Sequence, residues 1–234
     1  MAHKRSLNKE LFRLVGECKK TNKIKELIDE GANVNYKNKY GETPLMRAVS
    51  SNCYDNAKLL IEYGAKVNAR NAWGNSILME AIVAKADLEI IKLLVEHNAR
   101  INTRDKWGNT PLMEAAKRGM YDVVIYLVEN KANVNAYNNY KETALMLASE
   151  GIIGEGFVDI VKYLLSKKAK IDAQDAVGET ALMKAAFRGS LDVVKLLLEN
   201  GANKNLRDVN DYTALKKAQE NGHLAIAELL RDST

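Results

Sequence analysis

Cysteine, proline, histidine and aromatic residues are all scarce in this 234-residue chain, which holds two cysteines, two prolines, three histidines and 6% aromatics. Two cysteines, Cys18 and Cys53, are too few for a disulfide framework to be the stabilising device. They are expected as free, partly buried thiols in a reducing, cytoplasmic setting. No run of about 18 apolar residues occurs, so no transmembrane helix is expected. The N-terminal MAHKRSLNKELFRLV is interrupted by Asn8, Lys9, Glu10 and Arg13 and makes a poor signal peptide. No Ser/Gly-rich run marks an interdomain linker. The net charge of +5 falls short of the dense basic stripes of a dedicated nucleic-acid binder.

What the chain does have is a period. Phrases of the type KWGNTPLMEAA (Lys106–Ala116) recur, and aligning their hydroxyl residues gives Thr43, Ser76, Thr110, Thr143, Thr180 and Thr213, spaced by 33, 34, 33, 37 and 33 residues. A second marker runs in step: GANVN (31–35), GAKVN (64–68), NARIN (98–102), KANVN (131–135), KAKID (168–172) and GANKN (201–205). Between the markers lie two short helical patterns. Helix A spans Pro111–Arg118 in one copy, with Thr110 as N-cap and Pro111 at the first position, where a missing N–H costs nothing. Helix B spans about Tyr121–Asn130, with Val123, Val124, Leu127 and Val128 forming an apolar face of helical period.

These features resemble the ankyrin repeat, whose period is 33 and whose signature reads Thr-Pro-Leu-His-x-Ala. TPLMRA (Thr43–Ala48), TPLMEA (Thr110–Ala115), TALMLA (Thr143–Ala148) and TALMKA (Thr180–Ala185) match except at the histidine. The resemblance covers essentially the whole chain. It implies an all-α fold, a single right-handed α-solenoid domain of about seven helix-turn-helix units joined by hairpin-like turns. Residues 6–38 form a polar N-terminal cap, 39–208 the five internal units and 209–234 a C-terminal cap; capped at both ends, the chain is expected to be a whole protein. Lys141 and Asp211 stand where other units place a turn glycine, and are expected at positive φ. The fifth unit carries four extra residues within SEGIIGEGFVD.

No catalytic constellation is legible. His3, His97 and His223 fall several repeats apart, and stacked helices are spaced by about 8–10 Å, so they build neither a triad nor a zinc site. GIIGEGF (Gly151–Phe157) lacks the spacing of a phosphate loop and reads as a loop that extends the rim of the stack, within reach of a partner. The recurring Met46, Met79, Met113, Met146 and Met183 read as a core ladder rather than a thioether site for a soft metal. In the family the histidine of this slot hydrogen-bonds neighbouring turns, and methionine is expected to rely on packing instead. No enzyme activity, cofactor or metal is expected.

The surface carries the candidate site. Three positions before each hydroxyl stand Tyr40, Trp73, Trp107, Tyr140, Val177 and Asn210, so both tryptophans lie in one turn row. Exposed Trp and Tyr are the residues of binding hot spots, although each ring could instead stiffen its neighbour's turn. Lys39, Arg47, Glu80, Lys106, Glu114 and Arg118 flank the row. The resemblance implies a partner protein on a concave surface of turns and A helices, held by a scaffold that is expected to be monomeric. Two alternatives stand beside it: an accessory nucleic-acid or anionic-ligand binder using Lys37, Arg70, Arg104, Lys106 and Arg207, and a self-associating structural module, giving a homodimer.

Overall fold

The computed structural model describes residues 2–151 and 157–232, so part of the Gly151–Phe157 segment lies outside the described residues. Among the described residues the chain forms fourteen α-helices and no strand. They come in pairs, α1 (Ala2–Leu14) with α2 (Thr21–Asp29), α3 (Pro44–Ser50) with α4 (Tyr54–Glu62) and α5 (Ile77–Val83) with α6 (Leu88–Glu96). The series continues with α7 (Pro111–Lys117) and α8 (Tyr121–Glu129), α9 (Ala144–Glu150) and α10 (Val158–Ser166), α11 (Ala181–Arg188) and α12 (Leu191–Glu199), and α13 (Ala214–Glu220) and α14 (Leu224–Asp232).

The chain divides into two compact units, Met1–Lys106 and Trp107–Thr234. In the first, α1, α3 and α5 pack in one row and α2, α4 and α6 in another; in the second, α7, α9, α11 and α13 form one row and α8, α10, α12 and α14 the other.

The A helices from α3 to α13 begin where the sequence places their N-caps. Thr43, Ser76, Thr110, Thr143, Thr180 and Thr213 each accept the backbone N–H three residues on, at 3.2–3.4 Å. Such a cap satisfies one orphan donor and contributes about 1 kcal/mol. Helices of only seven or eight residues are marginal on their own, so packing must hold them. In helix A the row Ala48, Ala81, Ala115, Ala148, Ala185 and Ala218 is wholly buried, small enough to let helices approach on both sides. Leucines at Leu60, Leu94, Leu127, Leu164 and Leu197 fill the B-helix interior, each fully buried.

The methionine ladder is buried as expected, from Met46 to Met183. Beyond the packing expected of it, methionine makes a local bond that the sequence did not suggest. Met113 Sδ accepts the N–H of Thr110 at 3.4 Å, and Met146 Sδ accepts that of Thr143 at 3.5 Å. A thioether is a weak acceptor, and here it completes a reciprocal capping box with the threonine.

The expectation of free thiols is also overturned, since Cys18 and Cys53 are bonded to each other, with Cα atoms 4.7 Å apart. Their separation of 35 residues is about one repeat. The stacking therefore brings the α1–α2 connection against the start of α4, within the reach a disulfide needs.

Candidate functional site

The turns before α3, α5, α9, α11 and α13 are each built by one side chain. Asn38 Oδ1 accepts the N–H groups of Tyr40 and Glu42 at 2.9 and 3.0 Å. Asn71, Asn138, Asp175 and Asp208 repeat the arrangement. At Lys141 and Asp211 the chain takes φ of 59° and 65°, as the missing glycines led one to expect. At Gly108 no side chain fits, because a Cβ would stand 2.6 Å from Asn139 Oδ1 and 2.9 Å from its backbone nitrogen.

Turns are then tied to one another through the residues of the aromatic row. Within the first unit, Tyr40 O accepts from Ala72 N at 2.8 Å and Trp73 O from Lys106 N at 3.3 Å. Within the second, Trp107 O accepts from Asn139 N, Tyr140 O from Ala176 N and Val177 O from Val209 N, at 2.8–2.9 Å. Backbones are thus fixed while the rings project. Tyr40 and Trp73 stack with centroids 5.9 Å apart and planes at 22°, and remain 45% and 42% exposed. Lys39 Nζ lies 4.8 Å from the centre of the Tyr40 ring. Trp107 and Tyr140 are 46% and 57% exposed on the second unit.

The flanking residues divide into two groups. Lys39, Arg47 and Lys106 are exposed, and Arg47 leans on the α1–α2 connection, where its Nε leaves no room for a Cβ on Gly16. Glu80, by contrast, is half-buried and accepts from Asn71 and Asn75 at 2.6 and 2.7 Å. Glu114 and Arg118 pair with each other at 2.6 Å. These last three serve the turn and helix surface from within.

Basic rim residues read as an anion surface are similarly engaged, Lys37, Arg70 and Arg207 among them. Lys37 Nζ donates to Arg70 O at 3.2 Å, and Arg70 Nη1 donates to Gly74 O and Arg104 O. Gln174, in the same column, donates to Arg207 O at 3.0 Å. The column is an inter-repeat tie for which a cation is one solution and an amide another. Arg207 is itself paired with Asp211 at 2.6 Å.

Sequence reasoning missed two further features. The last residue of the closure marker clasps the next repeat: Asn35 donates to Gly64 O at 3.1 Å and accepts from Lys66 N at 2.8 Å. Asn68 does so with Asn98 O and Arg100 N, and Asn135 with Lys168 O and Lys170 N. The recurrence of that asparagine was visible, but its partners lie some 30 residues away.

The second is an ionic network in the second unit. Lys184 Nζ lies 2.9 Å from Asp175, 3.3 Å from Glu179 and 3.6 Å from Glu142; Lys217 Nζ lies 2.5 Å from Glu179 and 2.8 Å from Asp208. Lys184, Lys217, Asp175 and Asp208 are buried. Burial pulls the Lys184 ammonium towards neutrality, but the Asp175 hydrogen bond and the surrounding carboxylates push its pKa up to about 12. Lys217 is raised against the same penalty by Asp208 and Glu179. Burial would raise Asp208, but Lys217 and the N–H groups of Tyr212 and Asn210 hold it below the ordinary 3.8. The signal in sequence was the pairing of Asp at the turn with Lys four residues into helix A.

His223 Nε2 lies 3.0 Å from Phe187 O and serves the fold. Among the described residues no group of three or more His, Cys, Asp or Glu is arranged to hold a metal ion, and no helix is long and apolar enough to cross a membrane.

Tied turns, capped short helices and a repeating pair of helices define a helical repeat protein. The family model described as ankyrin repeats, three copies, matches residues 14–71, 78–175 and 151–234, and the chain belongs to the ankyrin-repeat family. Comparison with curated protein sequences returns no match. Ankyrin repeats are generally protein–protein interaction modules and typically non-catalytic.

Proposed function

We propose that this protein is a scaffold that holds a segment of a partner protein across its turn tips and A-helix faces, without chemistry of its own. The observation that carries the reading is the stacked Tyr40–Trp73 pair, exposed on turns that hydrogen bonds already hold. Rings fixed before binding lose little conformational freedom on contact, and Trp and Tyr are the residues that contribute most when desolvated. Trp107 and Tyr140 would serve the second unit in the same way. Lys39 and Lys106 beside the row suit a partner segment bearing acidic residues, with Arg47 adding to that charge.

A protein fits this face better than a nucleic acid does. Lys37 and Arg70 are already engaged with carbonyl groups of neighbouring turns, and Glu80, which no cation pairs among the described residues, places negative charge on the A-helix face.

The test is capture from native lysate with the wild type beside a Trp73→Ala/Trp107→Ala variant, with far-UV circular dichroism and melting to check the fold. Prey lost from a variant that melts as the wild type does supports the reading. Prey retained equally by both proteins would sink it.

A further inference from the structure

The two sulfurs of the Cys18–Cys53 disulfide stand in different surroundings. Cys53 is 1% exposed, at the N-cap of α4. Cys18 is exposed on the α1–α2 connection and lines an open hollow of about 570 Å³ with Lys19, Lys20, Lys23, Glu26 and Asp55. That volume is in the range of small-molecule sites, about 300–1,000 Å³. Lys23 is paired with Glu26 at 2.8 Å, whereas the ammonium groups of Lys19 and Lys20 make no ion pair among the described residues.

We propose that Cys18 is a site of reversible S-thiolation by a small anionic thiol of the glutathione class, which enters this hollow and opens the clasp. The incoming thiolate attacks Cys18 Sγ. A bond forms between its sulfur and Cys18 Sγ as the Cys18–Cys53 bond breaks. The electron pair leaves on Cys53 Sγ, which takes a proton from water. The attacking thiol is thereby oxidised and Cys53 reduced, so no other redox partner is needed.

Exchange requires the thiolate to reach the sulfur it attacks, and Cys18 is the reachable one. The leaving thiolate of Cys53 is favoured by its place at a helix N-terminus and opposed by its burial. Access, rather than thiolate stability, therefore selects Cys18. The lysines raise the local concentration of an anionic thiol over a neutral one.

Opening the bond does not release the connection. The fully buried Asn56 donates to Val15 O and Glu17 O, each at 3.1 Å, and accepts from Thr21 Oγ1 at 2.9 Å. With the α1–α2 connection still docked on α4, Cys53 remains beside Cys18 and can expel the adduct. That makes the modification reversible.

The test treats the full-length, disulfide-bonded chain with reduced glutathione, quenches with acid, alkylates and maps the peptides by mass spectrometry. The expected result is glutathione on the Cys18 peptide and alkylation on the Cys53 peptide. Glutathione on Cys53, on both equally, or on neither overturns the proposal. Because the mixed disulfide is short-lived, two variants shown to be folded by circular dichroism are treated with oxidised glutathione. Cys53→Ser is expected to be modified at Cys18, and Cys18→Ser to resist modification at Cys53; equal labelling of the two overturns the assignment. Finally, Lys19→Gln/Lys20→Gln is expected to lower the ratio of exchange rates with glutathione and with neutral 2-mercaptoethanol by about threefold. An unchanged ratio overturns the anionic class of ligand.

Discussion

Met113 and Thr110 cap each other: Thr110 Oγ1 accepts the N–H of Met113 at 3.3 Å while Met113 Sδ accepts the N–H of Thr110 at 3.4 Å. The thioether thus does a polar task from a buried position. Met113→Leu keeps most of the volume but removes the acceptor, and should cost about 1 kcal/mol. Met113→Ala also opens a cavity and should cost about 2–5 kcal/mol. Urea denaturation of both variants checks the order; equal losses would mean that volume is all that matters at this site.

Lys184 holds three carboxylates, and its removal should expose their mutual repulsion. Lys184→Met is expected to destabilise by about 3 kcal/mol, because breaking a buried pair leaves an uncompensated charge. Lys216→Met, at an exposed pair with Glu220, should cost less than about 1 kcal/mol. Denaturant midpoints of the two variants settle the contrast.

The same network predicts a stability profile with two limbs. Asp208 is lowered on folding, so its contribution is present above its unfolded value near 3.8 and is lost as pH falls through the folded value. Lys184 is raised, so its contribution is complete below 10.5 and is lost as pH rises towards about 12. Melting temperatures across both ranges should show the two losses. Lys184→Met should flatten the alkaline limb, and an unchanged limb would remove Lys184 as its source.

Asn135 separates the two halves of the clasp. Asn135→Ala should cost about 1–2 kcal/mol through two lost hydrogen bonds. Asn135→Asp should cost less, because it keeps the acceptor for Lys170 N. The chain already uses that solution at Asp172, which accepts from Asn203 N at 2.9 Å. Thermal melts of the two variants give the comparison.

How much of this could be read from the sequence depended on distance along the chain. Thr110, Pro111 and Gly108 act within a few residues of themselves, so the helix starts and the turns were legible. Lys141 was legible as a left-handed residue for the same reason. Asn35 and Asn135 recurred visibly, yet act on backbone about one repeat away, which no local rule reveals. Lys184 looked like any charge on an exposed helix face, although Asp175 and Glu179 stand in the turn just before its own helix; only Glu142 reaches it from the repeat before. The sequence places Cys18 and Cys53 in neighbouring units, about one repeat apart, but only the stacking brings their Cα atoms to 4.7 Å, within the reach a bond needs. In the candidate site, the exposure of Tyr40 and Trp73 followed from their place in the turn, while the internal engagement of Glu80 required the coordinates.

The ties that cross between α9 and α10 have a consequence for how such a chain can change. Asn135 grips Lys168 and Lys170, and Tyr140 grips Ala176, across the one connection that carries four extra residues. Both grips lie on the turn side, so repeat alignment is set there and the path between paired helices is free to lengthen. Insertions and deletions can therefore accumulate between helices A and B while every neighbour stays in step. The molecule keeps its measure at one edge and its latitude at the other.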